Sequence, residues 1–166
     1  MMNIGARIGA DVPFCVMEAG AALATGTGTT LEALPSFEAY AVLVKPKFGI
    51  STKDAYAAID EKMASAGAGF ARPDSLALAD ALKRRAPRSA VIGNMGNVLE
   101  LYAVSEHPEI AGIKEKMKNE TNAFAVLMSG SGPTVFALYE TESDARRARD
   151  MMRSAGFESY DTKTKL

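Results

Sequence analysis

The sequence predicts an α+β protein: a ferredoxin-like sandwich in which helices cover one face of an antiparallel or mixed sheet, with extra helices between the first two strands. Three observations predict it. From residue 39 onward the signals run strand, several helices, strand, strand, helix, strand. The middle two strands flank Ser129, Gly130, Ser131, Gly132 and Pro133, which bury no large side chain and mark a hairpin. Helix-start signals stand where the order needs them, at Ser51 with Asp54, at Asp74, and at Thr141 with Asp144.

Taken in order, "FCVMEAGAALATGTGTT" (residues 14–30) joins two short apolar runs through Glu18, Ala19 and Gly20, a hairpin pattern. Pro35 and Ser36 in "LEALPS" mark a boundary, and the residues before it are too few to bury a core of their own. "AYAVLVKP" (39–46) is apolar almost throughout, so it reads as a buried central strand ended by Pro46. A helix follows Ser51, with Ala55, Ile59 and Met63 at helical spacing and Gly67 as its stop. A second runs from about Asp74 to Pro87, and "NVLELYAVSEH" and "PEIAGIKEKMKNE" give two more, divided at Pro108. Strands at 123–128 and 134–139, a helix in "SDARRARDMMRSAG" and a partly exposed strand at 157–163 complete the order.

The 166 residues are 48% hydrophobic and 23% charged, with a formal net charge of -1, an ordinary globular balance with no general field to attract nucleic acid or an anionic membrane. A small-molecule substrate or a protein partner is the expectation. One cysteine, Cys15, and one histidine, His107, allow no internal disulfide and no Cys/His zinc cluster. With no secretion signal and no apolar run of membrane-spanning length, a cytoplasmic chain without a metal site is expected.

Several residues could carry chemistry, each with a plainer reading. The turn at 129–132 can be a hairpin connection needing positive φ, or a concave site where successive N–H groups meet an anion; it matches neither the Walker nor the dinucleotide pattern. Asp11, in "IGADVPF", can cap a helix, bind a metal or act as a base. Ser51 and Thr52 read as caps. Asn97 and Glu100 share a helical face that reads as solvated, Lys83, Arg84, Arg85 and Arg88 as a surface cluster at a helix end, and His107 as a capping or exposed residue.

In this order and at these separations, "IGADVPFCVMEAGAALATGTGTTLEALP", "VLVKPKFGISTKDAY", "NVLE" and "AFAVLMSGSGPTVFAL" resemble the C-terminal part of the galacto-, homoserine, mevalonate and phosphomevalonate (GHMP) kinases. Within that family the likeness is to the members acting on 4-diphosphocytidyl-2-C-methyl-D-erythritol. The resemblance implies a two-domain fold with the active site in the cleft, residues 1–35 being a remnant of the N-terminal domain and 36–166 the GHMP C-terminal domain. It implies an ATP-dependent kinase, with Mg2+, that phosphorylates the substrate's 2-hydroxyl in non-mevalonate isoprenoid precursor synthesis. Asp11 then falls on the catalytic base, and Ser129, Gly130, Ser131 and Gly132 fall on a nucleotide-binding segment. Thr52 is the candidate substrate contact, and no side-chain metal site is implied. The family's Gly-Gly-Gly-Ser-Ser-like phosphate loop and its catalytic lysine have no counterpart in these residues, so the 166-residue chain alone is expected to be inactive. Val98 stands where the family has an acidic residue between Asn97 and Glu100. A non-catalytic binding or oligomerisation module and a different GHMP kinase are the alternative functions, and homo-oligomerisation is left open.

Overall fold

Alternation along Tyr40–Lys45 puts Val42 and Val44 on the same side of a strand, and both are fully buried. In the computed structural model, which describes residues 2–9, 11–17 and 19–164, the elements begin with α1 (Met2–Ile8), α2 (Val12–Cys15), β1 (Ala21–Thr25), β2 (Thr30–Leu34) and β3 (Tyr40–Lys45). Next come α3 (Thr52–Ala66), a 3-10 turn (Gly67–Gly69), α4 (Ser75–Lys83), α5 (Arg88–Asn94), α6 (Glu100–Glu106) and α7 (Pro108–Glu120). The chain continues through β4 (Ala125–Met128), β5 (Val135–Tyr139), α8 (Glu142–Ser154) and β6 (Glu158–Lys163).

Two compact units form. The larger takes Ala39–Pro73 and Gly96–Lys163. Its four strands lie in the order β4-β5-β3-β6, every pair antiparallel, which is the ferredoxin-like sandwich expected from the element order. Val42 lies opposite Ala137 and Val44 opposite Val135, and Met128 also pairs with Val135, so these residues share one face of the sheet. Against it pack Ala55 and Ile59 of α3, Ala103 of α6, Ile110, Ile113 and Met117 of α7, and Ala145, Ala148 and Met152 of α8. The strand that is apolar almost throughout is central, as its composition requires.

Helix ends follow local chemistry. Ser51 Oγ accepts from the Asp54 N–H at 3.3 Å to start α3, and Thr141 Oγ1 accepts from the Asp144 N–H at 3.1 Å to start α8. The Thr141 hydroxyl, then the Asn122 amide and Arg147, hold the Asp144 carboxyl below its ordinary value. Pro108 occupies the first turn of α7.

The smaller unit comprises Met1–Glu38, Asp74–Met95 and Thr164–Leu166. Here β1 and β2 form an antiparallel hairpin with Thr25 opposite Thr30. Its reversal lies at residues 26–29 rather than at Glu18, Ala19 and Gly20 as expected; Glu18 is outside the described residues. The reason is backbone chemistry: Gly26 and Gly28 supply φ of 64° and 87°, whereas Pro13 favours the first turn of a short helix, α2. α4 packs on both strands, and Lys83 Nζ reaches Glu32 at 2.6 Å. Asp74 Oδ1 caps α4 through the N–H groups of Leu76 and Ala77. α4 ends at Lys83, short of the stop expected at Pro87, because Arg85 turns the chain at a φ of 49°; Pro87 instead precedes α5, which was not foreseen, its fixed φ of -53° suiting the residue before a helix.

Candidate functional site

The 129–132 turn closes the β4–β5 hairpin through two backbone bonds, Ser129 N–H to Thr134 O at 2.8 Å and Gly132 N–H to Ser129 O at 2.9 Å. Gly130 and Gly132 have φ of 55° and 88°, and the Gly132–Pro133 peptide is cis. Gly132 is required twice over: a Cβ there would lie 2.6 Å from Met128 Sδ and 3.0 Å from Ile50 Cδ1. A Cβ on Gly130 would meet open space. The N–H groups of Gly130 and Ser131 have no partner among the described residues. Two consecutive N–H groups on a chain with little side-chain bulk can both donate to an anionic oxygen.

Thr52, the first residue of α3, reaches this turn: its Oγ1 lies 2.7 Å from Ser131 Oγ. Of the two residues read as caps, Ser51 alone caps the helix. The structure therefore brings Thr52 together with Ser131, both of them sequence-stretch neighbours of nothing in common and 79 positions apart.

Asn97 and Glu100 are not a solvated face. β4 is the edge strand of the sheet, and both main-chain polar groups of its last residue, Met128, are taken by these side chains. Glu100 Oε1 accepts the Met128 N–H, and Asn97 Nδ2 donates to Met128 O at 2.9 Å and to Gly130 O at 2.7 Å. Asn97 Oδ1 accepts from the Leu99 N–H at 3.0 Å, and Lys114 of α7 pairs with Glu100 Oε2. The side chains of Glu100 and Lys114 are 17% and 24% exposed, so this pair is largely withdrawn from water. Val98, between Asn97 and Glu100, packs against the core. The Asn97-x-Leu99 spacing was the one local signal, since an Asn side chain often accepts from the N–H two residues on.

Asp11 lies in the smaller unit, exposed, immediately before α2. It stands at the capping position but its side chain makes no cap hydrogen bond there. His107 likewise gives no side-chain cap to α7; its ring stacks on Phe48 at 4.5 Å between centroids and 17° between planes. Among the described residues no group of three or more His, Cys, Asp or Glu side chains could hold a metal ion, and no helix is long and apolar enough to cross a membrane.

Residues 70–158 match the family described as GHMP kinases C terminal. The chain is 45% identical over 161 residues to a 4-diphosphocytidyl-2-C-methyl-D-erythritol kinase of Exiguobacterium sibiricum, an alignment covering 96% of this chain and 53% of that protein. It is 42% identical over 154 residues to the protein of the same name from Geobacillus kaustophilus, covering 92% of this chain and 50% of that one. The chain thus spans about half the length of the curated relatives it matches. Among solved structures, a 4-(cytidine 5'-diphospho)-2C-methyl-D-erythritol kinase superposes with a TM-score of 0.77 at 28% identity, over 98% of this chain and 56% of that one. A homoserine kinase from Cytophaga hutchinsonii, at 18% identity and a TM-score of 0.64 over 95% of this chain and 51% of that one, shares the fold. With the family match covering more than half of the sequence, on a sheet of the expected order, the chain belongs to the GHMP kinases.

Proposed function

We propose that this chain contributes the C-terminal part of a cytoplasmic, ATP-dependent kinase that phosphorylates the 2-hydroxyl of 4-diphosphocytidyl-2-C-methyl-D-erythritol in non-mevalonate isoprenoid precursor synthesis. The division into 1–35 and 36–166 belongs to the same proposal. The observation that carries the reading is the glycine turn with two consecutive unpaired N–H groups, in a chain whose named relatives are kinases of this substrate.

In phosphoryl transfer the protein positions the reactants and offsets charge on the phosphate oxygens. The N–H groups of Gly130 and Ser131 suit that task, and glycines at 130 and 132 let a phosphate approach the backbone without side-chain obstruction. The Thr52 and Ser131 hydroxyls, already within 2.7 Å of each other, can each turn to a substrate or phosphate oxygen. Asp11, with its carboxylate exposed and uncommitted to a helix cap, is the proposed base that takes the proton of the acceptor hydroxyl. Mg2+, where bound, would offset phosphate charge.

The test is phosphoryl transfer from labelled ATP to the cytidylylated methylerythritol, with homoserine and mevalonate as competing acceptors. A complete kinase containing these residues is expected to prefer the cytidylylated substrate and to lose roughly 10²- to 10⁴-fold in rate on Asp11→Asn. The 166-residue chain alone is expected to show no turnover, because a base without a full set of phosphate contacts cannot position the nucleotide. Preference for another acceptor overturns the substrate, and an unimpaired Asp11→Asn enzyme overturns the base.

A further inference from the structure

We infer that Asn97 and Glu100, with Lys114 behind Glu100, are positioning residues that set the shape of the 129–132 turn and keep its Gly130 and Ser131 N–H groups available to a ligand. The inference rests on the reading that the turn receives phosphate oxygens.

β4 is four residues long and lies at the edge of the sheet, with β5 on one side only. The last residue of such a strand ordinarily gives its outward N–H and C=O to water and frays. Beyond it the chain enters a turn with glycines at 130 and 132, residues that lose the most freedom on being ordered. A mobile turn would spend binding energy on ordering itself before holding an anion.

Side chains supply what a fifth strand would. Glu100 takes the Met128 N–H and Asn97 takes the Met128 carbonyl, so the strand end is paired on both sides. Asn97 then reaches two residues further, to Gly130 O at 2.7 Å, and so fixes the Gly130–Ser131 peptide inside the turn. With that carbonyl engaged, the plane of this peptide is set, and the N–H of Ser131, which lies in it, is set too. Neither clip is free to swing. Asn97 is anchored by the Leu99 N–H on its Oδ1, which also dictates that its amide nitrogen faces the turn, and Glu100 is anchored by Lys114 on its second oxygen. Two residues whose spacing read as a solvated face, Asn97 and Glu100, thus converge on one backbone segment about 30 positions away, with Lys114 holding the second.

The experiment uses the 166-residue chain, with backbone amide NMR and hydrogen exchange read at Ser129, Gly130, Ser131 and Gly132, and inorganic pyrophosphate as the probe. Asn97→Ala and Glu100→Ala are expected to speed exchange at Ser129 and Gly132 by about ten-fold or more, each having lost a hydrogen bond that is worth that much locally. Glu100→Gln, which keeps an acceptor for the Met128 N–H, should recover most of the protection, and Lys114→Met should give an intermediate effect. Amides of β3, at the centre of the sheet, serve as the reference: a general loss of stability would move them too, whereas positioning moves the turn alone. In the wild-type chain pyrophosphate should shift Gly130 and Ser131, and the Asn97→Ala chain should need a several-fold higher concentration. Unchanged turn exchange in folded Asn97→Ala and Glu100→Ala chains, or equal acceleration at β3, overturns the positioning role. Accelerated turn exchange with no pyrophosphate shift in the wild type upholds the positioning of the turn and sinks the phosphate reading instead.

Discussion

Replacing Gly132 by alanine tests the construction of the turn most directly, because two separable penalties meet at that atom. The backbone sits at φ 88°, where a Cβ costs roughly 1–2 kcal/mol. The added methyl would also lie 2.6 Å from Met128 Sδ and 3.0 Å from Ile50 Cδ1. Methionine is flexible, but Met128 is only 1% exposed and belongs to the core, so moving it means overpacking, typically about 1–3 kcal/mol. Gly132→Ala should therefore cost roughly 2–5 kcal/mol in total, a large share of an ordinary domain's stability. Gly130→Ala isolates the first penalty: φ is 55° and the space beyond is open, so about 1–2 kcal/mol is expected. Urea denaturation followed by far-UV circular dichroism measures both, and each kcal/mol should also appear as roughly 2–4 °C in melting temperature. Met128→Ala completes a cycle: if the methyl strikes Met128, the double variant should be more stable than the sum of the singles by about 0.5–3 kcal/mol. Equal losses for Gly130→Ala and Gly132→Ala, or strict additivity with Met128→Ala, would refute the reasoning.

Three further outcomes follow from helix ends. Asp74→Ala removes the acceptor for the N–H groups of Leu76 and Ala77 and should cost about 1 kcal/mol by urea denaturation, with Asp74→Asn recovering most of it. Arg85 ends α4 at φ 49°, with the Ala86 N–H bonded back to Ala81 O at 2.9 Å; Arg85→Gly suits that position and should stabilise by about 0.5–1 kcal/mol, while a loss would show that the arginine side chain is needed there. The Asp144 carboxyl is held low first by the Thr141 hydroxyl, so its ionised form favours the folded state. That stability is present above the ordinary carboxylate value of about 4 and is lost as pH falls through the lowered value, so Asp144→Asn should flatten the acid limb of a stability-against-pH curve below about pH 4. Identical acid limbs in the two proteins would remove the carboxyl from that role.

Sequence alone determined the elements whose causes are local. Ser51, Asp74 and Thr141 act on N–H groups two or three residues away, Pro108 sets its own φ, and the apolar residues of 39–46 demand burial whatever lies beside them; those helices and that central strand stand where the residues put them. The glycines at 130 and 132 likewise announced the reversal between β4 and β5. The hairpin at 21–34 was misplaced, since apolar runs on either side of Glu18 looked like strands while Gly26 and Gly28 held the actual turn. What only the tertiary structure decided was the purpose of Asn97, Glu100 and Lys114. Polar residues at helical spacing are indistinguishable, on a line of sequence, from a face turned to water. Their role exists because β4 lies at the edge of the sheet, leaving the Met128 N–H and C=O without a strand to bond, and that vacancy is created by strand order, a property of no single segment.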